Sequence, residues 1–178
     1  GARIFRYRKR RLTRELIVRR PQLKLTIDHT VEAYFAALCS LGISKTIIPP
    51  IMYIPEPARK FADGYFVSRG LDGKAIIAIC PGARHEEKTW PSNYYRDHAL
   101  KLLENPGRAV LLISSAGDGI PDRLGIEHDR ICHVNDLALL EVAALLARCR
   151  LAVTNDSGLM HLANAVGTRV VSIFGPTH

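Results

Sequence analysis

The stretch LAVTNDSGLMHLANA, residues 151–165, contains a short apolar segment, a polar turn and a run with helical spacing. We expect a strand over Leu151–Thr154 and a helix from about Ser157 to Ala165, with Asp156 or Ser157 as the N-cap. A strand that is apolar along its whole length is typical of a parallel sheet covered on both faces. The stretch therefore predicts one βα unit of such a sheet, with its turn at the carboxyl edge.

The same pattern recurs on both sides of this unit. Four more apolar segments predict strands at Ala75–Cys80, Ala109–Ser114, Arg130–Val134 and Val170–Phe174. Helices are expected at about Ser92 to Leu103 and at Leu137–Cys149, the second with Asp136 as a candidate cap. Alternating strands and helices predict an α/β fold with a Rossmann-like, doubly wound parallel sheet. Ligands of such sheets bind at the carboxyl ends of the strands, here in the loops after Cys80, Ser114 and Thr154.

The N-terminal part of the chain follows a different pattern. Residues 1–24 contain ten Lys or Arg residues and one acid, whereas the whole chain has a net charge of +8. A basic arm of this kind favours an anionic partner, although a solvated basic face explains it equally well. Apolar spacing over Ile27–Leu41 predicts a helix that Asp28 caps and Gly42 ends. Four prolines at 49–57 predict an extended connector, so we divide the chain into a first domain (1–50), a linker (51–73) and a second domain (74–178).

Composition excludes several classes of protein. The chain has 178 residues, 47% of them hydrophobic and 24% charged, which is typical of a globular protein and excludes a disordered or fibrous one. No apolar run approaches the ~18–20 residues of a transmembrane helix, and no signal peptide is indicated. The four cysteines lack metal-ligand spacing, so we expect buried thiols in a reducing cytoplasm and no metal site: Cys39, Cys80, Cys132 and Cys149.

The start of the last helix is the strongest candidate site. Its first amides, on Gly158, Leu159 and Met160, lack intrahelical acceptors and lie at the positive end of the helix dipole, which favours a phosphate. Gly158 allows a phosphate to approach the backbone closely. His161 shares a helix face with Ser157 and is a second candidate ligand. A capped helix with a first-turn glycine and a core histidine explains the same residues, and spacing alone leaves both interpretations open.

Three other loops contribute candidates. In CPGARHEEKTWP (80–91), Lys88 is placed to neutralise a phosphate, and Arg84 and His85 are further cation candidates. Asp118 in SSAGDG (114–119) is a candidate ribose ligand, and Thr177 in the terminal GPTH is a candidate ligand contact. Ordinary surface loops and tight turns explain all three. Neither GxGxxG nor a Walker lysine loop is present, so the usual NAD and ATPase fingerprints are absent.

Taken together, these motifs resemble the ADP-heptose:lipopolysaccharide heptosyltransferases, glycosyltransferase family 9. The resemblance rests on four segments: PGA…KTWP (81–91), NDSGLMHLANAVG (155–167), VVSIFGPT (170–177) and HTVEAYFAALCSLGI (29–43). It implies a GT-B fold, in which two Rossmann-like domains enclose the active site. The second domain would be the nucleotide-sugar domain, and residues 1–50 would be a remnant of the acceptor-side N-terminal domain.

The resemblance also implies a reaction. Heptose would pass from ADP-heptose to the lipopolysaccharide inner core by inverting displacement, without a cofactor or metal, in the cytoplasm and near the anionic inner membrane surface. Lys88 would contact the donor phosphates, His161 would support the donor loop, and Asp118 would lie near the adenosine. The donor loop itself would comprise Asp156, Ser157, Gly158 and Leu159, with Met160 and Thr177 as further contacts.

Two departures from the family pattern qualify the resemblance. Arg84 and His85 stand where family members often have small hydroxyl residues or glycine. The family's catalytic aspartate lies in a GD-containing loop early in the first domain, and nothing before residue 28 matches that loop. We therefore expect a fragment of a larger enzyme, with little or no catalytic activity alone.

Two other functions remain open from the sequence. A different GT-B enzyme using a UDP-sugar or GDP-sugar would need the same diphosphate site. A nucleic-acid-binding module led by the basic arm is disfavoured, because only Phe5 and Tyr7 in that arm are aromatic residues able to stack on bases. We therefore expect no nucleic-acid partner.

Overall fold

The computed structural model describes residues 4, 6, 10–27, 30–43, 48–83, 86–115 and 117–175. The chain forms two compact units that divide between Pro49 and Pro50. We refer to them as the N-terminal unit and the sheet unit. The candidate loops after Cys80, Ser114 and Thr154 all belong to the sheet unit.

The N-terminal unit contains two helices, α1 (Arg11–Arg19) and α2 (Thr30–Leu38), each followed by a short 3-10 turn. The helix predicted over Ile27–Leu41 is thus present but shorter, and Gly42 ends its 3-10 turn with a φ of 73°, which favours glycine. The predicted cap, Asp28, lies outside the described residues. Helix α1 was not indicated by apolar spacing, and no residue within either helix is buried.

The sheet unit begins with a helix, α3 (Glu56–Ser68), and continues with a parallel βα alternation. Its strands are β1 (Ala75–Cys80), β2 (Arg108–Ile113), β3 (Ile131–Val134), β4 (Leu151–Asn155) and β5 (Val170–Ile173). Its other helices are α4 (Ser92–Leu103), α5 (Ile120–Leu124), α6 (Leu139–Ala147) and α7 (Gly158–Ala165). All paired strands are parallel, in the order β3-β2-β1-β4-β5. The predicted doubly wound sheet is confirmed.

The apolar strands arise because both faces of the sheet are covered. In β1, alternate side chains point to opposite faces, so that Ala78 and Cys80 belong to one buried cluster and Ile77 and Ile79 to the other. The first cluster includes side chains of α3, α6 and α7, and the second includes side chains of α4 and α5. Burying one such isoleucine contributes about 1.5–3 kcal/mol, which explains why the buried positions of β1 and β2 are all apolar.

The helical covering changes face between β1 and β4. Helix α4, which follows β1, packs on one face, whereas α7, which follows β4, packs on the other. The two neighbouring strands therefore send their loops, residues 81–91 and 156–157, to opposite sides of the sheet. A crevice at such a switch point is the usual ligand position in doubly wound sheets.

The structure corrects the expected connector at 51–73. Residues 56–68 form α3, which buries Ala58, Ala62 and Phe66 in the core. Pro55 is the N-cap of this helix and Pro57 lies in its first turn, where a missing N–H costs no helical hydrogen bond. These prolines therefore mark the start of a helix. The assignment of residues 1–50 to an acceptor-side domain stays a prediction.

Two local details also differ from the sequence interpretation. Helix α6 is capped by Ala138 rather than Asp136, and the Glu141 carboxylate accepts the Ala138 N–H at 2.9 Å. The short helix α5 was not predicted, because five residues give too little periodicity. Within the described ranges, no helix is long and apolar enough to cross a membrane.

Candidate functional site

A cavity of about 1160 Å³ opens beside the carboxyl ends of β1, β2 and β4. Its lining includes residues 81–83 and 89–92 after β1, and residues 113–115 with Asp118 at and after the end of β2. Residues 157–159 and His161, at the start of α7, complete this part of the lining. The three loops that the sequence singled out thus meet in one concavity. Parallel strands bring these loops together, because their carboxyl ends lie on the same edge of the sheet.

Helix α7 begins without a side-chain cap. Ser157 is its N-cap residue, with extended backbone angles (φ −145°, ψ 171°), but its hydroxyl makes no capping hydrogen bond. The Ser157 Oγ atom is buried and has no hydrogen-bond partner among the described residues. A buried hydroxyl without a partner is costly, and Ser157 itself lines the cavity. Next to it, the Gly158 and Leu159 amides of the first turn have no intrahelical acceptor.

The last predicted donor of this turn, Met160, differs from the expectation. Its amide donates to the Ser157 carbonyl oxygen at 3.2 Å and is not free for a ligand. Its Sδ atom accepts a hydrogen bond from the Ser172 hydroxyl at 2.8 Å. Met160 is not part of the cavity lining. Its contacts hold α7 against β5.

Lys88 lies beside the start of α7, as the sequence predicts for a phosphate-binding cation. It ends a short 3-10 turn (Glu86–Lys88), and its Nζ atom is 2.5 Å from Asp156 Oδ2. The Lys88 and Asp156 side chains are 29% and 24% exposed. Neither residue is part of the cavity lining, but each immediately precedes a residue that is: Lys88 precedes Thr89, and Asp156 precedes Ser157. Because the ammonium already has a carboxylate partner, an incoming phosphate has to share it with Asp156 or displace that acid.

The structure adds Asn155 to the site. This side chain is fully buried, and its Nδ2 donates to the Pro81 carbonyl oxygen at 2.6 Å. Its Oδ1 accepts from the Trp90 amide at 3.2 Å and from the Tyr95 hydroxyl at 2.8 Å. Burial raises the pKa of Tyr95, with a smaller contribution from Cys80, so the hydroxyl keeps the proton that it donates. The sequence signal was an amide at the end of an otherwise apolar strand.

Trp90 is fixed by its side chain as well as by its backbone. Its ring packs edge-to-face on Tyr95, with centroids 5.0 Å apart and planes at 83°, and lies 5.4 Å from Tyr94. Trp90 lines the cavity. The loop after β1 therefore presents the Trp90 ring to the cavity in a fixed orientation.

Asp118 shapes the loop after β2. Its Oδ2 accepts the Ser115 N–H at 2.7 Å, and its Oδ1 accepts the Ile120 N–H at 2.9 Å. The Arg123 guanidinium donates to the Asp118 carbonyl oxygen at 3.0 Å. Each carboxylate oxygen keeps a second lone pair, so Asp118 can still accept from a ribose hydroxyl. Arg123 is an exposed cation in the cavity lining that the sequence analysis missed.

The remaining candidates divide into described and undescribed residues. His161 is exposed and lines the cavity, so the interpretation as a core histidine is wrong. Arg84, His85 and Thr177 lie outside the described residues. In the GPTH motif, Gly175 lies so close to the loop after β1 that an added Cβ would collide with the Glu87 carbonyl oxygen.

Cysteines and acids of the described segments form no cluster of three or more groups suited to a metal ion. Cys80, Cys132 and Cys149 are buried, as expected, but Cys39 is exposed. Burial raises the pKa of Cys149 to about 12 and raises that of Cys80 further. These two thiols remain protonated in neutral solution and are poor ligands or nucleophiles.

The sequence model of glycosyltransferase family 9 (heptosyltransferase) matches residues 5–178. Lipopolysaccharide heptosyltransferase 2 of Escherichia coli K12 is 30% identical over 161 residues, which is 83% of this chain and 46% of that protein. Lipooligosaccharide heptosyltransferase 2 of Haemophilus influenzae is 40% identical over 116 residues, 60% of this chain and 33% of that protein. The solved structure of E. coli ADP-heptose lps heptosyltransferase II superposes with a TM-score of 0.66 at 26% identity, over 78% of this chain and 44% of that chain. The chain spans less than half the length of each.

Proposed function

We propose, from the premise that the chain belongs to glycosyltransferase family 9, that its sheet unit binds the donor of a heptosyltransferase. The full reaction would transfer heptose from ADP-heptose to the inner core of lipopolysaccharide. The relatives include a lipopolysaccharide heptosyltransferase 2 and an ADP-heptose lps heptosyltransferase II, which supports these substrates. The observation that carries the proposal is the cavity whose lining includes the uncapped helix start at Ser157 and Gly158.

The diphosphate would bind at the start of α7. The Gly158 and Leu159 amides supply backbone donors, and the buried Ser157 hydroxyl would supply another once its side chain turns toward the cavity. The space that a Cβ on Gly158 would occupy has no atom within 4 Å, so a phosphate oxygen can approach the backbone there. The Lys88 ammonium lies beside Asp156 at the same turn and would neutralise part of the phosphate charge.

The other end of the cavity would hold the nucleoside. Ile113, Ser114 and Ile120 give that end small and apolar surfaces suited to a flat base. Asp118 would accept from the ribose, and the Arg123 guanidinium would lie over or beside the base. His161, one turn along α7, would contact the sugar or a phosphate oxygen. Thr177 would contact the ligand, as the sequence predicts, and Met160 would support the donor loop through its contact with Ser172.

In the proposed reaction, an acceptor hydroxyl attacks the anomeric carbon of the heptose while a base removes the hydroxyl proton. The bond between that carbon and the phosphate oxygen breaks, and ADP leaves with a new negative charge. Lys88 and the α7 amides stabilise this charge in the transition state. Asp156 is not the base in this scheme, because its carboxylate holds the Lys88 ammonium. We propose no cofactor for the reaction.

The acceptor is a membrane glycolipid, so we propose that the enzyme works at the cytoplasmic face of the inner membrane. The ten basic residues among the first 24 support contact with anionic lipids, at about 1 kcal/mol per residue close to the surface. This placement needs no membrane-spanning segment, because the basic arm and the acceptor itself would keep the enzyme at the surface.

Calorimetric titration of the full-length protein with ADP, UDP and GDP tests the proposal. We expect ADP to bind most tightly and ADP-heptose to support transfer to a heptose-deficient lipopolysaccharide core. Binding of UDP or GDP in preference to ADP would instead favour another nucleotide-sugar enzyme of the same architecture. Absence of transfer with a well-bound donor would redirect the search to the acceptor.

A further inference from the structure

We propose that Asn155 is a positioning residue of the donor site, acting through the loop that carries Lys88 and Trp90. The inference rests on the proposed function, because it takes the cavity as the place where the nucleotide binds. Asn155 is fully buried at the end of β4 and is not part of the cavity lining. It therefore acts on a ligand through other residues.

The Asn155 amide joins segments that are distant in sequence. Its Nδ2 donates to the carbonyl of Pro81, 74 residues away, and its Oδ1 accepts from the amide of Trp90, 65 residues away. Pro81 begins the loop after β1 and Trp90 is near its end. The Asn155 side chain thus holds both ends of this loop at the carboxyl end of β4, immediately before Asp156. The Tyr95 hydroxyl, on α4, completes the set.

The position of Lys88 follows from this arrangement. Lys88 lies within the loop that Asn155 holds at both ends, and its ammonium reaches the carboxylate of Asp156. With the loop fixed, the cation and the helix start are already adjacent before a ligand arrives. A preorganised site binds more tightly, because the ligand does not have to order the loop.

An asparagine is suited to this role by its chemistry. Its amide offers an oxygen with two acceptor sites and an NH2 donor in one plane. Aspartate keeps the acceptor but, when ionised, has no proton for the Pro81 carbonyl. Valine has neither group and leaves the partners on Pro81, Trp90 and Tyr95 unsatisfied. Each substitution alters the loop without removing an atom that a donor would touch.

The test compares Asn155→Val with Thr168→Val in the full-length protein. Thr168 is also buried, and its hydroxyl donates to the Leu146 carbonyl at 2.6 Å. Thr168 lies in the segment that leads into β5 and is not part of the cavity lining. Both variants lose buried hydrogen bonds, so both should melt at lower temperature. At a temperature where both are folded, we expect Asn155→Val to bind ADP about tenfold more weakly than wild type, and Thr168→Val to bind like wild type. Wild-type ADP affinity in folded Asn155→Val would overturn the proposal.

Asn155→Asp supplies a second test should the valine variant fail to fold. A protonated carboxyl group can donate to the Pro81 carbonyl, whereas a carboxylate cannot. The ratio of variant to wild-type dissociation constants for ADP should therefore rise about tenfold between pH 5.5 and 8. Taking the ratio removes the titration of the ADP phosphate itself. A ratio that is constant with pH contradicts the role assigned to the Nδ2 donor.

A wild-type protein that binds no ADP would contradict the proposed function and leave the role of Asn155 to be tested without a ligand. Hydrogen exchange at the Trp90 amide provides that test. We expect exchange to be about tenfold faster in Asn155→Val than in Asn155→Asp or Thr168→Val, because only the valine variant loses the acceptor of that N–H. Equal rates would show that Asn155 does not hold the loop.

Discussion

The two ends of the cavity are built in different ways. At the β4 end, Asn155 and Asp156 bond to residues between 60 and 74 positions away in the chain. At the β2 end, Asp118 bonds to amides two and three positions away. The first end depends on the assembled sheet, whereas the second is local turn chemistry. Substitutions at the β4 end should therefore affect both ligand binding and cooperative stability, and those at the β2 end should have smaller, local effects.

The largest expected effect belongs to Lys88. Lys88→Met keeps the length of the side chain but removes the charge proposed to stabilise departing ADP. We expect the kcat for heptose transfer by the full-length enzyme to fall by about 10²–10³, as for the loss of one transition-state donor. Lys101→Met is the matched control, because Lys101 is an exposed lysine that also pairs with an acid, Glu104, at 2.8 Å. A kcat for Lys88→Met equal to that of the control would remove Lys88 from the mechanism.

Gly175 tests whether the segment after β5 shapes the β4 end. A Cβ on Gly175 would collide with the carbonyl of Glu87, so Gly175→Ala has to displace the loop that carries Lys88. We expect a loss of about 1–3 kcal/mol in the free energy of unfolding and about tenfold weaker ADP binding. Urea unfolding and calorimetry measure the two effects.

Gly64→Ala is the control for this substitution. Gly64 lies inside α3, and nothing is within 4 Å of the position of its added Cβ. An alanine there should stabilise the fold by about 0.5–1 kcal/mol and leave ADP binding unchanged. If both alanine variants behave alike, the close approach of Gly175 to Glu87 has no consequence in solution.

These contrasts also show how much the sequence could predict. All five strands and α4 follow from apolar runs bounded by turn residues, and the parallel order follows from their alternation with helices. Lys88 and the start of α7 were predicted to lie together because a phosphate site would need a cation beside free amides; the structure brings them together, and phosphate binding there stays a prediction. Asn155 was missed because its partners are 60 or more residues away. The helix at Glu56–Ser68 was missed because its prolines were interpreted as breakers rather than as first-turn residues.

Alkaline pH should weaken the β4 end of the cavity. Burial raises the pKa of Tyr95 and of Cys80, so each group binds its proton more tightly in the folded protein than in the unfolded chain. Their contribution to stability is fully present below the unfolded pKa values, about 9 for the thiol and 10 for the phenol, and is lost as the pH rises above them.

We therefore expect the free energy of unfolding to fall between pH 9 and 11, and Tyr95→Phe to reduce this slope. Urea unfolding at half-unit pH intervals measures it. An equal slope in wild type and Tyr95→Phe would show that the phenol is not held as a buried donor to Asn155.

The smallest effect is expected at the β2 end. Asp118→Ala removes two hydrogen bonds to the Ser115 and Ile120 amides, which should destabilise the turn by about 0.5–2 kcal/mol, as for the loss of a helix cap. ADP affinity should fall only a few-fold, because the start of α7 and Lys88 stay in place.

Asp118→Asn separates the role of Asp118 in the turn from the role of its charge, since the amide keeps one acceptor for the loop and loses the charge. Asp97→Asn, at an exposed position of α4, controls for the loss of a carboxylate. A loss of ADP affinity for Asp118→Ala as large as that for Asn155→Val would mean that the local turn, and not the long-range contacts at β4, governs nucleotide binding.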